Sequence, residues 1–397
     1  CALVCIPFLD YKNYPLMYFY DIIFFRYFVP LKKVIPPVIR YTTWLIMNNK
    51  RILITRLSAL GDVIHTIPLV CALKRQFPGV FIGWVVEDKA CAVLVNNPVV
   101  DKLYILPKKK WKKNKSNFLG NMREFFSIIA EIRRDNYDIA IDVQGLLKSA
   151  CVNFLSGAKR RMSHKHTREF AFLLANELID SGAEFSCSEH IIERNLKFAS
   201  YLGCNDLSVH YSLPDSTEED RMYVSSLMKS LDKNKKTIVF SPATTWINKH
   251  WLPEYWGALL DEFSKRCNVI FTGMKADEEL IAQIISFSAN KECLSLAGKT
   301  DIISLLEVFR RADIVVSVDS GSAHLACSVE KPRVICIIGP TSEKRNGPFG
   351  KGNFSFVADI SCRPCFKKKC SGNNIECMRL IQPASVIEHI NKLLTNT

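Results

Sequence analysis

The chain has 397 residues, is 48% hydrophobic and carries a formal charge of +14. That length buries ample core and suggests two or three domains. The basic excess points to an anionic membrane or a phosphorylated substrate. Nucleic acid is set aside first, because the sequence has neither zinc-finger spacing with histidines nor an RNA-recognition signature.

Residues 1–46 differ from the rest, with apolar runs that Asp21, Arg26 and several prolines interrupt. None reaches the roughly 18 residues of a spanning helix. No basic start and small-residue cleavage site marks a secretory signal. Two readings stand: a segment lying on a membrane surface, or a stretch upstream of a native start at Met47.

From residue 51 short apolar runs alternate with amphipathic ones. RILIT (51–55) predicts a strand, and residues 63–77 a helix that begins late or kinks at Pro68. VFIGWVV (80–86) and KLYIL (102–106) predict strands. KKKWKKNK (108–115) holds six lysines in eight residues and reads as a solvated loop or as a basic patch for lipid phosphates, with Trp111 at a membrane interface. A helix is expected near 118–134, a strand in YDIAIDV (137–143) and a helix through LLKSACVNFL (146–155). After a polar stretch, SLPDSTEEDR (212–221), the pattern repeats. Strands are expected at 236–243, 269–273, 313–319 and 333–340, and helices at 251–266, 276–289, 303–312 and 322–329. Strands spaced by helices predict doubly wound parallel sheets. The expected domains are 47–215 and 216–397, two Rossmann-like units facing a central cleft, with ligands at the carboxyl ends of the strands.

Three strand ends carry polar constellations. RLSALGDVIHTIP (56–68) places Gly61 where a backbone could approach a ligand, yet Asp62 beside it would repel phosphate. SPATTWINKHW (241–251) offers the hydroxyls of Thr244 and Thr245 and the cation of Lys249, a set that suits a diphosphate; a solvated loop is the plainer reading. VVSVDSGSAHLA (315–326) ends a strand at Asp319 and opens a helix through Ser320 and Gly321, either an anion site or a simple N-cap. His324 alone would more often be a packed histidine. None of these turns carries G-x-G-x-x-G or G-K-[ST], which weakens nicotinamide and P-loop readings.

In order, RLSALGD-x-x-H-T-x-P, DVQGLLKSA, SPATTW-x-x-K-x-W, G-x-x-x-D, SVDSGSAHLA and GPT closely resemble the family 9 glycosyltransferases, over about residues 50–390. Within them the chain looks most like the lipopolysaccharide heptosyltransferases of type I. The resemblance implies a GT-B fold with no required metal, and an inverting transfer of heptose from ADP-L-glycero-D-manno-heptose to a Kdo-bearing lipid A. The family's catalytic carboxylate falls on Asp62. The resemblance thus gives the acid a role, taking a proton from the acceptor hydroxyl as it attacks the anomeric carbon. Donor contacts map to Thr244, Thr245, Lys249, Asp277, Asp319, Ser320, Gly321 and His324. Acceptor-side candidates are Gly61, His65, Asp142, Gln144 and Lys148, with Lys108, Lys109 and Lys110 of the basic run. The expected place is the cytoplasm, peripheral to the inner face of the inner membrane, and scattered cysteines in apolar segments fit a reducing compartment. The alternatives are the same fold using another nucleotide sugar or adding the second heptose, and a non-catalytic protein binding a sugar nucleotide or a membrane surface. Four clustered cysteines, Cys362, Cys365, Cys370 and Cys377, suggest a small structural zinc site, with reduced thiols or a loose disulfide as the competing readings.

Overall fold

The structure is a computed structural model that describes residues 47–182, 187–372 and 374–395. The expectations for residues 1–46 lie outside these. Two six-stranded parallel sheets organise the chain. The first contains β1 (Arg51–Thr55), β2 (Phe81–Glu87), β3 (Lys102–Leu106), β4 (Ile139–Asp142), β5 (Arg160–His164) and β6 (Glu177–Ile179), in the order β3-β2-β1-β4-β5-β6. The second contains β7 (Thr237–Ser241), β8 (Asn268–Phe271), β9 (Leu294–Ser295), β10 (Ile314–Val318), β11 (Arg333–Ile338) and β12 (Phe354–Val357). Its order, β12-β11-β10-β7-β8-β9, is the same winding. Each half is therefore a doubly wound Rossmann-like unit, and the architecture is GT-B.

Runs such as IVVSV and TIVFS are buried along their whole length, as strands covered by helices on both faces must be. The first sheet packs Ile52, Ile54, Trp84 and Ile141 against the helices, and the second packs Phe240, Phe271 and Val316, with Trp256 of the helix Pro253–Phe263 in the same core.

Several elements depart from the expected ones for identifiable reasons. The single helix expected over 63–77 is two, Leu60–Ile64 and Ile67–Gln76, with Pro68 in the first turn of the second, where its missing N–H costs nothing. The polar stretch 212–221 is not all linker. Thr217 accepts from the Asp220 N–H and Asp220 accepts from the Thr217 N–H, a capping box that starts the helix Glu218–Leu227. KKKWKKNK is not a loop either, since Lys108–Lys113 is helical. Trp111 turns inward there, donating to Glu124 at 2.7 Å and packing edge-on to Phe125. Short or polar strands, β5, β6, β9 and β12, had no apolar run to announce them.

Candidate active site

In a sheet wound this way the crevice opens where strand order reverses, between β1 and β4 in the first half and between β7 and β10 in the second. The loops leaving the carboxyl ends of those four strands carry RLSALGD, DVQG, SPATTW and SVDSG. The four polar motifs thus occupy the switch points of both sheets.

Asp62 lies in the helix Leu60–Ile64 and is about one-third exposed. Arg56 Nη2 stands 2.7 Å from its Oδ1, and the Ala59 N–H donates to its Oδ2 at 3.1 Å. Two lone pairs of the carboxylate remain, enough to accept a proton. Arg56 is itself buried and donates through Nη1 to the Val143 carbonyl at 2.8 Å. The next residue, Leu57, donates its N–H to Gln144 Oε1 at 2.9 Å. Asp142 closes that turn by accepting from the Gln144 and Gly145 N–H groups at 3.0 Å each. Burial pushes the Asp142 carboxyl up to about 6, against the pull of these bonds. Asp142 and Gln144 therefore hold the loop that carries the acid, and Asp142 is too buried to meet an acceptor.

In the second half, Asp319 is buried and organises three partners. Lys249 Nζ stands 2.6 Å from its Oδ2, Thr341 Oγ1 donates to the same oxygen, and His324 Nε2 stands 3.6 Å from Oδ1. Burial disfavours the charge, but the neighbouring His324 ring and the Lys249 ammonium outweigh it and hold Asp319 well below the usual carboxylate range. Lys249 also lies over the Trp246 ring, 4.5 Å from its centroid. Thr244 and Thr245 reach the surface of this loop, where the Thr244 carbonyl accepts from His250 Nε2 at 2.8 Å. Ser320 precedes the helix Gly321–Cys327, its hydroxyl 3.3 Å from that of Ser317.

The two halves meet through these same motifs. A Cβ built on Gly61 would stand 2.6 Å from His324 Cδ2, and one on Gly321 would meet Leu60 Cδ2 at 3.4 Å. The His65 ring packs 4.1 Å from the His324 ring and 5.4 Å from that of His190, whose Nε2 lies 3.0 Å from the Gly347 carbonyl. Burial, then the neighbouring histidines, hold His65 well below its ordinary pKa, and burial takes His190 down to about 4. Neutral rings are what such a dry contact requires. A short acid loop and a half-buried lysine on facing switch points can deprotonate a hydroxyl on one side and hold an anionic leaving group on the other.

The model of glycosyltransferase family 9 (heptosyltransferase) matches residues 125–376, more than half of the chain. The chain belongs to that family. It is 28% identical over 327 residues to lipopolysaccharide heptosyltransferase 1 of Pseudomonas aeruginosa, covering 81% of this chain and 87% of that protein. A family 9 glycosyltransferase from Veillonella parvula superposes with a TM-score of 0.74 at 21% identity, over 88% of this chain and 98% of that one. The E. coli heptosyltransferase WaaC with ADP gives 0.65 at 25% identity, over 86% and 99%.

The other candidates of this family 9 member scatter. Asp277 accepts from the Met274 N–H at 2.7 Å and so closes a turn after β8. Lys108 and Lys148 converge on the buried Glu87, at 2.6 and 2.8 Å. Burial would raise Glu87, yet its two lysines hold it below the ordinary range. Lys110 pairs with Glu124 at 2.8 Å, and Lys109 is exposed. His65 serves the contact between halves and is buried there. The cysteines among the described residues form no disulfide. Burial, and the charges of Cys362, Cys365 and Cys370, raise Cys377 above its ordinary value. Among the described residues, no three His, Cys, Asp or Glu side chains are gathered to hold a metal. Two partners in the site are not among the residues that the motifs single out: Arg56, although it begins RLSALGD, and Thr341, the last letter of GPT. His190 has no local signal at all.

Proposed function

We propose that the chain moves heptose from ADP-heptose to a Kdo residue of the lipopolysaccharide inner core, with inversion and with Asp62 as general base. The observation that carries the reading is the meeting of the two switch points: the Asp62 helix of one half packs on the Asp319–His324 turn of the other. Similarity to lipopolysaccharide heptosyltransferase 1 supports the acceptor class, and the ADP in the WaaC structure supports the nucleotide.

In this mechanism the acceptor oxygen attacks the anomeric carbon while Asp62 takes its proton, and ADP departs with the bonding pair. Arg56 aims the carboxylate. Lys249, with the hydroxyls of Thr244 and Thr245, receives the diphosphate and its developing charge. Closure of the halves keeps water from the donor. The reaction takes place in the cytoplasm at the inner face of the inner membrane. Among the described residues no helix is long and apolar enough to cross a membrane. The test is a transfer assay with Kdo-lipid A as acceptor and ADP-heptose beside UDP-sugars as donors. Product from ADP-heptose alone is expected; transfer from a UDP-sugar, or only to an acceptor already carrying one heptose, would overturn the assignment.

A further inference from the structure

The helical corner after β3 has a composition that catalysis does not use. Lys110 and Trp111 both engage Glu124, which clamps the short helix Lys108–Lys113 onto the first turns of Phe118–Arg134. Asn114 and Asn117 tighten the corner: the Asn117 N–H and Asn121 Nδ2 both donate to the Asn114 carbonyl. The corner is thus built, and nothing among the described residues covers its outward side. Phe118 is 66% exposed, Leu119 81% and Phe126 51%. Phe118, Met122 and Phe126 recur every four residues and so share one helix face. The long helix buries only Ile129 and Ile132, both in its second half. Beside this apolar face stand Lys112, Lys113, Lys115 and Arg123, exposed and with no carboxylate in ion-pair range among the described residues.

We propose that this corner is where the protein docks on an anionic bilayer, its lysines on lipid phosphates and Phe118 and Leu119 in the headgroup boundary. Exposed aromatics beside uncompensated lysines are poor neighbours in water, but at an anionic interface both are stabilised. The corner also adjoins the active site. Lys108 binds Glu87, and the Glu87 N–H donates at 2.9 Å to the carbonyl of Leu57, in the loop that carries Asp62. A protein seated here would hold that loop at the membrane where a lipid acceptor lies. The inference rests on the reading that the acceptor is a membrane lipid, but binding is measured without any substrate and so is tested separately.

The full chain is sedimented with vesicles of phosphatidylglycerol and phosphatidylethanolamine, or of phosphatidylcholine alone, across a salt series. Salt-sensitive partitioning to the anionic vesicles is expected. Partitioning should fall at least tenfold in K112Q/K113Q/K115Q and several-fold in F118S/L119S, the latter with its salt dependence kept. Turnover on a water-soluble, delipidated acceptor should match the parent in both variants. Parental partitioning of the lysine variant would overturn the proposal, because another surface would then be binding. Lost turnover on the soluble acceptor would also overturn it, by showing that the lysines bind the acceptor itself.

Discussion

The contact between Gly61 and His324 can be tested with one methyl group. In Gly61→Ala the new Cβ would stand 2.6 Å from His324 Cδ2 and 3.5 Å from Cγ and Nε2. The ring cannot withdraw freely, since Asp319 lies 3.6 Å from its Nε2 and the His65 ring packs at 4.1 Å. Overpacking of this kind costs about 1–3 kcal/mol, and better helix propensity returns at most about 1 kcal/mol. A net loss of about 1–2 kcal/mol is expected. Gly321 faces the same seam from the other side, but its added Cβ would meet Leu60 at 3.4 Å, ordinary contact, so there propensity prevails. Urea titration of both variants beside the parent gives the comparison: Gly61→Ala should unfold earlier, and Gly321→Ala at the parental midpoint or later. Equal midpoints for the two would refute the close approach of the halves at this point.

Asp62→Asn should lower turnover by about 10²–10⁴-fold, the usual worth of a positioned base, with ADP affinity unchanged in calorimetry; near-parental turnover would remove the acid from the mechanism. Arg56→Met should lower kcat about tenfold or more at constant donor KM, because a charged hydrogen bond worth roughly 1.5–3 kcal/mol no longer aims Asp62, and Arg56→Lys should recover part of it. Lys249→Met leaves Asp319 charged and buried, so a stability loss of about 3–5 kcal/mol is expected with weaker ADP binding; adding Asp319→Asn should restore the melting temperature and not the affinity. His190, neutral down to about pH 4, lowers its protonation on folding, so its stabilisation is complete above about 6.5 and is lost as pH falls toward 4. That window is worth about 3 kcal/mol, and the difference between His190→Gln and parent across it is the measurement. Asp142, raised to about 6, titrates there with the opposite sign and cancels in that difference.

What the sequence showed and what it hid divide along a physical line. Buried strands such as RILIT and RVICII declare themselves because parallel strands covered on both faces are apolar throughout. β9, two residues long, and β5, RRMSH, carry no such signal and form because a neighbouring strand supplies their hydrogen bonds. The basic helix was hidden for a related reason. Its charges promised solvent, whereas Glu87 and Glu124, 21 and 14 residues away, neutralise two of the lysines and let the helix form.

The same reasoning separates residues that do chemistry from those that aim them. Motif spacing along the chain can mark Asp62 or Lys249 as unusual, since each is a charge in the segment that follows an apolar strand. It cannot say that Arg56 leans on Val143, 87 residues on, or that Lys249 is held by Asp319, 70 residues on. Those pairings exist only once strand order reverses and brings β4 beside β1 and β10 beside β7. The DVQG turn shows the consequence. Its acid is an acceptor-side candidate in one dimension, yet in the fold it ties down the turn whose next carbonyl anchors Arg56. A carboxylate buried to hold backbone N–H groups has lost the exposure that a base requires, and Asp62 has kept it.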